Sequence, residues 1–189
     1  MSAFETGLVI GRFQTFHLGH AEIIQKALDI SEKVVVCIGS AQESGTDRNP
    51  FPYTLRHQML ETVFTNETTA GRLIIMPLDD IGVGDNSKWG KYVLDEVEKK
   101  TGRTPQVIVS GTEIQRVTWF GYQLAELFIP KTIKISASEL RDLMVHDLRE
   151  KWVMYVPKQL VSMYDKLRYM LPEVQNMLSS KLLQKERGF

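Results

Sequence analysis

A chain of 189 residues, 43% hydrophobic and 24% charged, has the balance of a soluble globular protein and the length of one ordinary domain. Lysine plus arginine equals aspartate plus glutamate at 23 each, which excludes a global basic field for nucleic acid or an anionic membrane, so any anion site must be local. The single cysteine, Cys37, excludes an intramolecular disulfide, and no run approaches the roughly 20 apolar residues of a membrane span.

The first residues, Met1 to Thr6, lack the basic start and long apolar region of a signal peptide, so the expected location is the cytoplasm. Gly7-Leu8-Val9-Ile10 and Lys33 to Ile38 are short β-branched runs that predict buried strands of a parallel sheet. Between them, Ile23, Ile24, Ala27 and Leu28 recur at helical spacing over residues 21–30, giving a first βαβ unit. The alternation continues with a helix over Thr54 to Phe64, a strand over Leu73 to Met76, a helix over Ser87 to Lys100 and a strand over Gln106 to Val109. After Pro130 the pattern turns helical, with helices expected over Ser138 to Val145, Pro157 to Met170 and Pro172 to Leu183. Repeated β-then-α order predicts an α/β fold, a doubly wound parallel sheet of Rossmann-like type with C-terminal helices. Residues 1–189 read as a single domain whose helical part covers about 136–189. In such sheets the loops after the strands hold the chemistry.

The first of those loops is the decamer Gly11-Arg12-Phe13-Gln14-Thr15-Phe16-His17-Leu18-Gly19-His20. Gly11 lets backbone approach a ligand where a Cβ would intrude. Arg12 can donate paired hydrogen bonds to phosphate oxygens. His17 and His20 are three apart, so their side chains share one face of a helical turn, and Gly19 keeps the space between them open. The helix N-terminus that follows offers free N–H groups to an anion. Two histidines are too few for a zinc site, and the turn has neither P-loop spacing nor the three-glycine dinucleotide fingerprint.

Ile135 to Arg141 opens a later helix that Ser136 or Ser138 can cap, with Glu139 at capping-box spacing from Ser136. Ser138 and Arg141 point the same way from its first turn, and hydroxyl, guanidinium and helix N-terminus together suit a pyrophosphate. Trp89 follows the glycine-rich loop Gly82-Val83-Gly84-Asp85-Asn86; core packing is its ordinary reading, but an indole there can also stack on a pyridinium ring. Trp119 and Trp152 read as core.

HxGH after a strand resembles the adenylyl- and cytidylyltransferase superfamily. The lead-in Gly-Arg-Phe-Gln, the stretch Ile38 to Gln42, then Asn49-Pro50-Phe51 and the helix holding Arg56 look like the archaeal-type nicotinamide-mononucleotide adenylyltransferases. Pro77 to Ile81 with Trp89, Ser110-Gly111, and Trp152 to Val161 are similar to the same branch. The resemblance implies transfer of AMP from ATP to nicotinamide mononucleotide (NMN), or its acid analogue, to form NAD and pyrophosphate. It implies that His17, His20 and Arg141 act in the transfer, that Gly11, Arg12, Phe13, Gly19, Ser136 and Ser138 bind ATP phosphates, and that Ser40, Asn49, Trp89 and Gly111 hold the nicotinamide nucleotide. Mg²⁺ carried on the triphosphate, rather than a protein-held metal, and a homo-oligomeric assembly are also implied.

Three departures stand out. Thr15 replaces the family's usual proline, Leu18 its usual lysine, and Thr112 to Arg116 differ from the usual residues after Ser110-Gly111. The loss at Leu18 predicts weaker triphosphate binding unless another cation substitutes. Two other readings follow: a nucleotidyltransferase with a different phosphorylated acceptor, and a non-catalytic nucleotide sensor.

Overall fold

The protein is described from a computed structural model covering residues 2–82, 86–111, 119–120, 124–130 and 132–186. Val83, Gly84, Asp85 and the run Thr112 to Arg116, all singled out in the sequence, lie outside the described residues. Strands β1 (Phe4–Gly11), β2 (Ser31–Ile38), β3 (Leu73–Pro77), β4 (Val107–Ser110) and β5 (Ala125–Phe128) form one sheet in the order β3-β2-β1-β4-β5. Every pairing is parallel. The order runs outward from β1 to β3 on one side, then restarts with β4 and β5 on the other. The reversal opens a crevice between the carboxyl ends of β1 and β4, which is where ligands bind in such sheets.

Period-two alternation divides the core between the two faces. Along β2, Val34, Val36 and Ile38 join one buried cluster while Val35 and Cys37 join the other. The first cluster packs the sheet on α1 (Leu18–Ile30), α2 (Tyr53–Val63) and the C-terminal helices, which supply Leu140, Trp152, Leu160, Leu167 and Val174. A short α3 (Thr65–Thr69) leads from α2 back to the sheet. The second cluster packs the opposite face on α4 (Asn86–Thr101) through Val93 and Val97, with Phe120 and Leu124. Helices on both faces make the sheet doubly wound.

The C-terminal part runs through α5 (Ala137–Val145), α6 (Arg149–Val153), a 3₁₀ segment (Lys158–Met163), α7 (Tyr164–Tyr169) and α8 (Pro172–Glu186). The helix expected over Pro157 to Met170 is therefore two pieces, and α3, β5 and α6 are additions to the predicted elements. β5 escapes the sequence pattern because Ala-Glu-Leu-Phe is short, without a β-branched residue, and lies at the sheet edge. α1 begins three residues earlier than its apolar periodicity, because His17 caps it: the His20 N–H donates to His17 Nδ1 at 3.3 Å.

Candidate active site

Two connected concavities open at the crevice. The larger, about 470 Å³, lies over the ends of β1 and β4, and its wall includes Gly11, Arg12, His20, Ser40, Trp89 and Gly111. The smaller, about 270 Å³, lies between the β1 turn and the start of α5, against Gln14, Ser136, Ser138 and Arg141. Arg12, Phe13 and His20 belong to both walls.

The turn between β1 and α1 is built by packing rather than by glycine freedom. Phe13 holds a left-handed backbone at φ 53°, and its buried ring folds back over Gly11. A Cβ on Gly11 would lie 2.9 Å from Phe13 Cζ, so this glycine makes room for the ring while its backbone stays in the wall of the larger lobe. The Gln14 side chain then pairs with the main chain of Phe51. Its Nε2 donates to Phe51 O and its Oε1 accepts from Phe51 N, both at 2.9 Å.

The two histidines divide their tasks. Their rings stack with centroids 3.7 Å apart, as the three-residue spacing predicts. Only His20 reaches the cavity walls, however; His17 is buried behind it as the α1 cap. Gly19 is likewise buried, and a Cβ there would stand 3.1 Å from the His17 ring, so it admits the capping imidazole rather than opening the cavity. Leu18 sends its N–H to Tyr155 O at 2.9 Å and lines a separate surface groove with Ala21, Phe64 and Pro157. The position where the resemblance expects lysine lies outside both lobes.

α5 meets its sequence expectation in detail. Ser136 Oγ accepts from Glu139 N at 3.2 Å while Glu139 Oε2 accepts from Ser136 N at 2.7 Å, a complete capping box. Arg141 Nη2 donates to Ser138 Oγ at 3.3 Å, and Nη1 donates to Gln14 O, tying α5 to the β1 turn. Burial, then the charge of Arg12, lowers the Arg141 pKa. Burial, then Arg48, lowers that of Arg12. The neutral chain thus concentrates mutually repelling cations at one place, an arrangement that favours an anion.

After β2, Ser40 adopts φ 50° and its hydroxyl donates to Asp80 Oδ2 at 2.7 Å. Asn49 does not join the wall. It is 1% exposed, its amide donates to Glu43, and its Oδ1 accepts from Arg12 Nη1 at 3.5 Å, so it steadies Arg12 from behind. Its neighbour Arg48 lines the larger lobe instead, as do Asp80 and Ser110. Trp89 stands in that wall edge-on to Trp119, centroids 5.5 Å apart at 88°. Trp119 is therefore a cavity residue, whereas Trp152 is core, wholly buried against Tyr164. The signal for Arg48, Asp80 and Trp119 is position: each lies on a segment that follows a strand's carboxyl end.

Residues 8–143 match the cytidylyltransferase-like family. A nicotinamide-nucleotide adenylyltransferase of Thermoplasma volcanium is 30% identical over 154 residues, covering 81% of this chain and 82% of the relative. The enzyme of that name from Thermococcus kodakarensis is 32% identical over 155 residues, covering 80% and 78%. The fold is shared with a bifunctional NMN adenylyltransferase/ADP ribose pyrophosphatase of Francisella tularensis crystallised with AMP and a manganese ion, at TM-score 0.71 and 24% identity. That superposition covers 98% of this chain, which spans 57% of the longer Francisella chain. On family match and identity together, the chain belongs to the cytidylyltransferase-like family, in the branch of the nicotinamide-nucleotide adenylyltransferases.

Proposed function

We propose that this nucleotidyltransferase moves the adenylyl group of ATP onto the 5′-phosphate of NMN, forming NAD and releasing pyrophosphate. The observation that carries the reading is the shared wall: Arg12, Phe13 and His20 border both lobes, as a phosphate chain passing between two bound nucleotides requires. The nicotinamide-nucleotide adenylyltransferase relatives support the acceptor.

In this reading an NMN phosphate oxygen forms a bond to the α-phosphorus while the bond from that phosphorus to the pyrophosphate oxygen breaks. The nucleophile is already an anion, so no general base or covalent intermediate is needed, and catalysis is positioning plus charge stabilisation. His20 and Arg12 meet the phosphates at the junction. Arg141, Ser138 and the N-terminus of α5 receive the departing pyrophosphate. His17 fixes the His20 ring by capping α1. Ser40, Gly111 and Trp89 serve the nicotinamide nucleotide, with Trp89 as the aromatic face for the pyridinium.

Mg²⁺ carried on the triphosphate would add charge neutralisation there. Asp80 is the carboxylate among the described wall residues, and in this reading substrate oxygens and water would supply most of the other ligands. Residues 1–189 act as one domain, residues 136–189 being its helical part. No described helix is long and apolar enough to cross a membrane, and we place the enzyme in the cytoplasm as a homo-oligomer.

Pyrophosphate release from Mg-ATP with NMN, nicotinate mononucleotide and phosphopantetheine tests the acceptor. Release with NMN is expected; release with phosphopantetheine alone would sink the reading.

A further inference from the structure

Arg56 lies on α2, wholly buried, and lines neither lobe of the site. A guanidinium removed from water is costly unless its donors are met, and among the described residues no carboxylate is within ion-pair distance of it. Its partners are main-chain carbonyls instead. Nη1 donates to Arg12 O at 3.0 Å and to Gly39 O at 2.7 Å, and Nη2 donates to Ser40 O at 2.9 Å. Nε has no hydrogen-bond partner among the described residues.

Those three carbonyls belong to the two segments that carry the cavity walls. Arg12 O precedes Phe13 at φ 53°, and Ser40 itself stands at φ 50°. Side chains rarely adopt this left-handed region, and they keep it where the surroundings over-determine the backbone. Burial, then the charge of Arg12, lowers the Arg56 pKa to about 10, which leaves it charged at neutral pH.

We propose that Arg56 is a positioning residue for the transfer: its guanidinium ties the β1 turn to the loop after β2, fixing Arg12, Phe13 and Ser40 relative to one another across the site. A planar fork reaches all three carbonyls from one side chain, which the single ammonium of lysine does not. The inference rests on the nucleotidyl-transfer reading above.

The test compares the parent with Arg56→Lys and Arg56→Gly, measuring melting, kcat, the KM of both nucleotides, and hydrogen exchange over residues 11–16 and 39–42. Arg56→Lys is expected to melt near the parent, to lose about a hundredfold in kcat, and to lose less in either KM. Its two loops exchange faster while the strands do not. Millimolar guanidinium restores part of the turnover of Arg56→Gly. A merely structural residue would lower the melting temperature and leave kcat intact, and that result overturns the proposal. So does unchanged loop exchange, or failure of both variants to fold. A parent that releases no pyrophosphate removes the transfer reading instead, and loop exchange separates the two failures because it needs no substrate.

Discussion

His20 is the side chain at the junction of the two lobes, with Arg12 and Phe13 beside it. His20→Ala is expected to lower kcat by about 10²–10³-fold while ATP affinity changes only a few-fold, since its donor acts on charge that develops during transfer. Steady-state kinetics beside equilibrium nucleotide binding checks this, and equal losses in both would favour a nucleotide sensor. Leu18→Lys carries the opposite expectation. Position 18 borders the groove with Phe64 and Pro157, where a lysine can snorkel into solvent, so kcat and ATP KM should stay within about twofold of the parent. A marked gain in ATP affinity would mean that this residue faces the phosphates. At this scale the decamer and the Ser138–Arg141 pair were legible in the sequence, because each is a local pattern whose geometry follows from a helical turn. Which histidine faces the cavity was not legible. It depends on the His17 ring turning back to cap α1, and Asn49 likewise follows from where Glu43 and Arg12 happen to meet it.

At the level of elements, α5 matters most, since its first turn holds Ser138 and Arg141 against the β1 turn. Ser136→Ala removes one side of the capping box and should cost about 1 kcal/mol. In thermal unfolding that corresponds to a Tm lower by about 2–4 °C, and an unchanged Tm would mean that the cap contributes nothing. Elements with strong periodicity or capping signals were readable from sequence: α1, α2, α4, α5 and the first four strands. β5, α3 and α6 were not: β5 has no β-branched residue and lies at the sheet edge, and the five residues each of α3 and α6 make little more than one helical turn. The 3₁₀ segment before α7 shares apolar residues with the helix after it, and Leu160, Tyr164 and Leu167 all face one core. A change of pitch inside one amphipathic run leaves little trace in spacing.

For the whole molecule, alternation of strands and helices announced the doubly wound sheet, and the sheet explains why residues from separate segments meet at one crevice. Charge balance predicted that an anion site would be local; in the fold Arg12 and Arg48 line the larger lobe and Arg12 and Arg141 the smaller, so cations gather at the one crevice. Arg48, Asp80 and Trp119 were harder to single out, because lying after a strand's carboxyl end marks a whole segment and only the fold selects which of its side chains joins the wall. The buried central strand gives a further expectation. Burial pushes the Cys37 thiol up to about 12, so at pH 8 a disulfide reagent should react only after denaturation. Rapid labelling of the native protein would contradict that burial. The central claim is tested most directly by incubating the purified chain with Mg-ATP and NMN and following NAD and pyrophosphate together. The account predicts one NAD and one pyrophosphate for each ATP consumed; ATP bound without either product, or pyrophosphate released without NAD, would contradict it.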